Sequence, residues 1–506
     1  MKSRWFSGSA YALRSNTLNF YSECERTAGL VKTHLYGLPI YVATDPMIIE
    51  DVLVRKHRCF VKSAGLRATQ RGFGQGLLTS DRELWRQQRR IMQPAFQTRR
   101  VEQYRESMER ATDRLLTSIG PGGERNIHRD MTDLCFEALA SCLFGDDVMA
   151  GRELIAQAAD ALHGFHEHYS KWIGSLGGVL FALIRATSTA FGRPDFVIDP
   201  SCLPTAYARK FREAMDALDG FVEKVIRRRR SLPRQNDLLG LLLAATDDSG
   251  RPLTHQQIRD EVVTMFFAGH ETGAAVLTWT LYLVARHPEI ATKLAKHIET
   301  GDEGELIDQV LREAMRLYPP AYRISRTVVE TCELGGMEVR AGGELVIPQW
   351  AVHRSPRYYK DPERFWPERW TEEFTAKLPK FAYFPFGGGP RTCIGNTFGL
   401  IESKFVLTSL LRRFEIAPVD EHEPELQLGV TLLPRDNSLK LRLSRRGEQL
   451  ASEPAARART TQSRCPFHRQ AKPQPNRPAA DCADYADGPH EFRKVVNSHN
   501  ARGPSA

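Results

Sequence analysis

This 506-residue chain lacks most of what would mark a secreted or metal-stapled protein. Its nine cysteines (24, 59, 135, 142, 202, 332, 393, 465 and 482) are scattered and include no CxxC pair. That argues against a disulfide framework and against zinc or iron–sulfur sites, and it fits a reducing cytoplasm. Long apolar runs are also missing. Met1 to Phe20 carries Lys2, Arg4 and Arg14 with no hydrophobic stretch, so neither a signal peptide nor a transmembrane anchor is expected. The most apolar continuous stretch, Trp172 to Ile184, has thirteen residues including three glycines. It is too short to span a bilayer, which takes about 20 residues, and burial is the expectation for it. No internal repeat is present. Gly72-Phe73-Gly74-Gln75-Gly76 lacks the GxGxxG offsets and a clear preceding strand, which excludes a dinucleotide fingerprint.

Charge of one sign is in modest excess, at +9 with an isoelectric point near 9.1. The cations form no single arm, so no nucleic-acid partner is expected. The densest run, Arg227 to Arg230, closes an apparent helix, where cations complement the dipole, and a solvated helix end is expected there. A basic surface of this kind also suits docking of an acidic electron-transfer protein.

Length alone would suggest about three domains, yet no Pro/Gly-rich linker divides the first 440 residues. One large domain over residues 30–446 is expected, preceded by segment 1–29 and followed by tail 447–506. Residues 451–506 hold seven prolines and eleven alanines with few large apolar anchors. Such a segment cannot bury enough surface to offset ordering entropy.

The periodicities place a strand at Leu38 to Ala43 and a helix from Asp81 carrying Trp85 and Arg89 one turn apart. Helical patterns then run to Arg316, including Tyr207 to Arg230. Thr254-x-x-Gln257 is a capping box, and no proline follows until Pro288, so a helix of about 33 residues is predicted. Its middle, Val262 to Val284, is apolar nearly all round and is expected to cross the core. After Pro319-Pro320 short alternating segments read as strands: Thr327 to Glu330, Met337 to Arg340, Glu344 to Ile347, Val430 to Leu433 and Leu439 to Leu443.

Phe386-Gly387-Gly388-Gly389-Pro390-Arg391-Thr392-Cys393-Ile394-Gly395 sets one cysteine in a glycine-rich loop just before an apolar helix, Phe398 to Leu411. A helix N-terminus favours the thiolate, and Arg391 can reach an anionic group. These residues describe a thiolate offered to a metal on a flat, carboxylate-bearing cofactor, or else a structural cysteine in a Gly/Pro turn. Inside the long helix lies Ala268-Gly269-His270-Glu271-Thr272. An acid and a hydroxyl there are costly unless paired or functional, and a helix bend with a satisfied acid is the alternative.

The spacing F-x-x-G-x-R-x-C-x-G over Phe386 to Gly395 resembles the haem-binding signature of the cytochrome P450 superfamily, and Ala268 to Thr272 resembles its A-G-x-[DE]-T oxygen-activation motif. The likeness covers roughly residues 30 to 445. It implies a mainly α fold with small β-sheets, haem b, and Cys393 as the iron ligand. By the same resemblance Phe386 and Gly395 shape the loop, and Trp85, Arg89, Arg326 and Arg391 hold the haem propionates. Glu271 and Thr272 would deliver protons to bound dioxygen. Gly273 stands where many relatives carry a second threonine. Glu313, Arg316 and Arg369 match a structural triad, with Trp370 in place of a usual phenylalanine as a minor change.

The implied activity is a monooxygenase that hydroxylates a hydrophobic small molecule, a terpenoid or a fatty acid. The chain carries no flavin, NADPH or ferredoxin signature, so the electrons are expected from a separate ferredoxin or flavodoxin/reductase. Family position puts Val262 to Ala268 (with Phe266 and Phe267), Ala321 to Ser325, Val430 to Leu432 and loop 61–80 around the substrate. Two other classes share a thiolate-bound haem. A partner-independent peroxygenase or isomerase is disfavoured by the intact Glu271-Thr272 pair; a haem sensor would work through Cys465-Pro466 in the tail.

Overall fold

The computed structural model describes residues 16–447 except 146–150, 174–175, 198, 234 and 302–303. The expectations for tail 447–506 beyond Gly447, including Cys465-Pro466, lie outside the described residues, as does the start of segment 1–29. Helices α1 (Thr17–Thr27), α2 (Arg82–Met92), α3 (Arg105–Ile119), α4 (Ile127–Phe144) and α5 (Arg152–Ile173) come first. They are followed by α6 (Leu176–Ala190), α7 (Ala206–Arg230), α8 (His255–Arg286), α9 (Pro288–Thr300), α10 (Glu305–Leu317) and α11 (Asn396–Arg413). The first strands are β1 (Leu30–Leu35), β2 (Leu38–Ala43), β3 (Phe60–Lys62) and β4 (Gly122–Asn126). Next come β5 (Ile324–Val328), β6 (Cys332–Leu334), β7 (Met337–Val339) and β8 (Glu344–Ile347). The last are β9 (Phe414–Pro418), β10 (Leu426–Leu428), β11 (Leu432–Pro434) and β12 (Lys440–Arg445).

Helix dominates, and the strands form small sheets: one in the order β1-β2-β8-β5-β3, one in the order β4-β12-β9, and the hairpins β6-β7 and β10-β11. Strand β4 interrupts the stretch in which helical patterns dominate. Its Gly122 and Gly123 adopt φ of 118° and 127°, values that an apolar-periodicity search does not register. It is held by pairing with β12, far away in sequence.

The capping box that predicts the start of α8 is present. Thr254 Oγ1 accepts the Gln257 N–H at 3.2 Å, and Gln257 Oε1 accepts the Thr254 N–H at 2.8 Å. The 32-residue helix is about 48 Å long. It packs along α4 so closely that a Cβ at Gly269 would meet Leu139 Cδ2 at 2.6 Å. From Ile258 to Ala285 nearly every side chain is buried, which is the cost-free state for a helix apolar on all faces.

Helix α10 carries the structural triad. Glu313 and Arg316 are wholly buried. Glu313 accepts from Arg316 Nε at 2.9 Å and Nη2 at 2.8 Å, and from Arg369 Nε at 3.0 Å. The two guanidiniums then donate onward to carbonyls of His353, Lys360, Pro362 and Arg364. This pins the segment leading into the cysteine loop. Trp370 is more than a minor change, because its Nε1–H donates to Glu313 Oε2 at 2.9 Å, a bond no phenylalanine can make.

Two surface expectations are corrected. The stretch from Trp172 is not uniformly buried: Leu180 is 51% and Leu183 61% exposed on α6. Within the basic run that closes α7, Arg229 is buried rather than solvated. It donates to the Phe144 carbonyl at 2.7 Å and pairs with Asp237, so it fastens α7 to the end of α4.

Candidate functional site

The cysteine loop is built by its glycines. Gly387 and Gly389 adopt φ of 71° and 69°, a region side chains disfavour, and a Cβ at Gly389 would run into the Leu53 carbonyl. The loop closes when Cys393 N–H donates to the Phe386 carbonyl at 2.9 Å and Thr392 N–H to Gly389 at 3.1 Å. Gly395 caps α11, so Cys393 sits three residues before the first helical residue. Its thiol is deep among protein atoms yet open on one side. Burial pushes the thiol up, while the Gly395 N–H and the Arg89 guanidinium oppose that shift.

Around the loop the structure gathers cations. Pairing of β3 with β5 sets Lys62 opposite Arg326. Arg391 Nη2 donates to Asp81 Oδ1 at 2.7 Å and Nη1 to the Ser80 carbonyl at 3.1 Å, and its guanidinium stacks 4.4 Å from the Trp85 ring. Burial and the Arg391 charge bring Arg326 down to about 10, with Asp81 opposing. Lys62 is pushed well down by burial, then by Arg326 and Arg391. Arg89 donates Nη1 to the Thr392 carbonyl at 2.7 Å. Trp85, Arg326 and Arg391 therefore converge, and Arg89 holds the cysteine loop beside them.

Halfway along α8 the burial lapses. Ala268, Gly269, Glu271, Thr272 and Val276 are half-buried, while their neighbours from Ile258 to Ala285 are buried. The i, i+4 spacing of 268, 272 and 276 puts them on one face. Thr272 Oγ1 donates to the Ala268 carbonyl at 2.7 Å, so its lone pairs remain available to accept. Glu271 is the partnered acid of this stripe. Oε1 accepts His163 Nε2–H and Oε2 accepts Thr431 Oγ1–H, each at 2.5 Å. Burial alone would raise this carboxyl; the His163 charge and these bonds hold it well below the usual carboxylate range. Gly273 has a local reason, since a Cβ there would come 3.1 Å from Glu402 Oε2 and 3.3 Å from Cys135 Sγ.

Expected substrate contacts divide. Phe266 is fully buried and packs on Phe144 and Phe136 at 4.6 and 6.1 Å, on the α4 side; it belongs to the core. Phe267 meets Phe73 edge-on at 5.0 Å, which joins α8 to loop 61–80. The glycines of that loop serve close approach. Gly74 abuts the Asp260 carboxylate, and Gln75 and Leu77 N–H groups donate to Asp260 Oδ2 and Glu261 Oε2 at 2.8 and 3.0 Å. A cleft of about 730 Å³ opens between this loop and the first turns of α8, and none of Cys393, Glu271 or Thr272 lines it. His163 was missed from sequence, and Lys62 and Thr431 were expected only within substrate-contact stretches, because only strand register and packing between distant helices show what they face.

A family model described as cytochrome P450 matches residues 2–441. The chain belongs to the cytochrome P450 family. It is 29% identical over 447 residues to cyclooctatin synthase of Streptomyces melanosporofaciens, covering 84% of this chain and 92% of that protein. It is 28% identical over 454 residues to pentalenene oxygenase of Streptomyces avermitilis, covering 87% and 95%. Among solved structures, a retinoic acid-bound cyanobacterial P450, CYP120A1, superposes with a TM-score of 0.74 at 25% identity, covering 87% and 97%. This P450 is a haem monooxygenase of mainly α fold. No helix among the described residues is long and apolar enough to cross a membrane.

The residues present fit haem. Lys62, Arg326 and Arg391 crowd together with Asp81 as the carboxylate among them. That excess of positive charge is relieved by a ligand bearing carboxylates, as haem does through its propionates.

Proposed function

We propose that this P450 hydroxylates an apolar terpenoid, with Cys393 as the iron ligand and with electrons supplied by a separate ferredoxin or flavodoxin-type protein. Two observations carry the site assignment: Cys393 stands in a glycine-built loop, and Ala268, Glu271 and Thr272 form a half-buried face on a largely buried helix. Two relatives carry names that speak of cyclooctatin and pentalenene, and retinoic acid, bound in the structural neighbour, is also an isoprenoid. These favour a terpenoid over a fatty acid.

Haem, held through Cys393, would supply dioxygen activation and oxygen insertion when bound. The chain supplies the rest. The Gly395 N–H and Arg89 stabilise Cys393 as thiolate against its burial. Lys62, Arg326 and Arg391, with Trp85 beneath the last, bind the propionates. Thr272, its proton committed to Ala268, accepts a hydrogen bond from the protonated form of whatever sits beside it. Glu271 stands one residue away as part of the proton supply. Ala268, Val276 and Phe267 offer the substrate apolar surface.

Cys393→Ser is expected to abolish the red-shifted carbon monoxide spectrum of the reduced protein, and an unchanged spectrum rejects the ligand assignment. Thr272→Ala is expected to raise peroxide release at the expense of product. A spin-state titration should rank cyclic terpenes above fatty acids of equal carbon number; the reverse order rejects the substrate class.

A further inference from the structure

A carboxylate inside a helix needs a partner, and here the partner comes from a different element. His163, on α5, donates Nε2–H to Glu271 Oε1 at 2.5 Å, while Thr431, between β10 and β11, fills Oε2. Glu271 thereby ties α5, α8 and the β10–β11 turn together. The imidazole is 8% exposed. Its Nδ1 has no hydrogen-bond partner among the described residues. Gly429 makes room for it, since a Cβ there would lie 2.8 Å from Nδ1.

As held, Glu271 is ionised and both oxygens only accept, so it has no proton to give. We propose that His163 is the positioning residue that sets the orientation and protonation of Glu271, so that the proton-supplying unit beside Thr272 is the His163–Glu271 pair. This rests on the reading that Glu271 and Thr272 supply protons. The bookkeeping closes without any other reactant. The Nε2–H bond breaks as an O–H bond forms on Glu271, turning imidazolium and carboxylate into imidazole and carboxylic acid. Glu271 passes that proton on and is a carboxylate again, and a proton from solvent restores the imidazolium.

The surroundings single out His163. The other titratable groups facing the pair are Asp160 one turn earlier on α5, His128 on α4 and His270 on α8. Burial pushes His128 down to about 4 and lowers His270 as well, so both are neutral near pH 7. His163 is lowered by burial but raised more by Glu271 and Asp160, and the net shift is upward. On the remaining side, α7 meets α5 through an apolar stack of Phe211 on Phe165 at 4.6 Å. A group raised above its ordinary value keeps its proton below the folded pKa and loses it as pH rises through it. The pair is therefore loaded below the His163 pKa and emptied above it.

The test uses the holoenzyme with its reductase, in wild type and in His163→Gln, His163→Lys and Glu271→Gln. Isotope-edited infrared spectra of the resting enzyme should show an ionised Glu271 in wild type. In His163→Gln burial is no longer opposed by a cation, so a protonated-carboxyl band should appear, and it should vanish in the His163→Gln/Glu271→Gln double variant. Product formed per electron pair should fall above the His163 pKa in wild type. That fall should move to higher pH in His163→Lys and be lost in His163→Gln. A retained red-shifted carbon monoxide spectrum certifies folding in each variant, and the wild-type infrared band stands even if one variant does not fold. If Glu271→Gln leaves coupling unchanged, the underlying proton reading fails. If Glu271→Gln uncouples while His163→Gln keeps both the ionised band and the wild-type pH profile, the role of His163 is overturned.

Discussion

Trp370→Phe removes one hydrogen bond from the most deeply buried charge cluster of the fold. Glu313 is fully buried and accepts from Arg316 twice, from Arg369, from the Trp366 N–H at 3.0 Å and from the Trp370 indole at 2.9 Å. A bond to a charged group contributes about 1.5–3 kcal/mol. Phenylalanine also leaves part of the indole volume unfilled among Tyr359, Phe374 and Tyr383, costing about 1 kcal/mol more. The expected loss is about 3 kcal/mol, or about 3 °C in the unfolding midpoint for a domain this large. Thermal scans at one fixed rate are paired with isothermal unfolding rates, since large chains unfold irreversibly. Benzothienylalanine at position 370 keeps the shape of indole and replaces the N–H with sulfur, which isolates the bond from the packing. It should recover the packing share alone. A benzothienyl variant as stable as the parent would refute the assignment of energy to this bond.

Two further predictions come from charges that sequence reading did not weigh. Lys62→Met should weaken haem retention, measured as about tenfold or faster haem transfer to an apomyoglobin acceptor, since one charge-assisted bond contributes about 1.5–3 kcal/mol. The iron-free chain should be no less stable, because Lys62 is repelled by Arg326 and Arg391; a destabilised iron-free chain with normal haem transfer would reject the propionate role. Glu402 and Glu261 are both buried, each has an oxygen without a hydrogen-bond partner among the described residues, and burial pushes each up to about 8. An acid raised this way stays protonated in the folded chain while the unfolded chain ionises. Stability should therefore fall as pH rises from about 4.5 to about 8, by about 1.4 kcal/mol per unit per group. Glu402→Gln and Glu261→Gln should each flatten that slope in denaturant titrations, and a double variant with the parental slope would contradict it.

What could be read from sequence was local chemistry. A capping box at Thr254 and an unbroken apolar run announce α8 because both are short-range, and Glu344 to Ile347 shows its strand as a short apolar run bounded by Gly342-Gly343 and Pro348. Strands β1 and β3 gave no comparable signal, and the alternation of β9 (Phe414-Glu415-Ile416) directly follows a helix and went unread; pairing partners decide all three. β1 pairs with β2, and β9 pairs with β12, to which β4 also pairs from about 300 residues away. The same division runs through the site. The cysteine loop and the Glu271-Thr272 step are contiguous motifs, so they were visible. Lys62 faces Arg326 only through the β3–β5 register, and its chain neighbours gave no hint of it.

His163 shows why this division matters for function. Its neighbours in sequence, Leu162 and Gly164, make it an unremarked residue on an amphipathic helix. Its effect appears only when α5 lies across α8 and an imidazole meets a carboxylate that burial alone would have protonated. The contiguous motif supplies an acid and a hydroxyl at the right step of a helix, and the packing decides whether that acid is charged. On the proposed proton role, two P450 chains with the same A-G-x-[DE]-T segment are predicted to supply protons over different pH ranges. The difference will lie in the residue that α5 presents to the acid, and exchanging that residue alone should move the pH range while leaving the motif untouched.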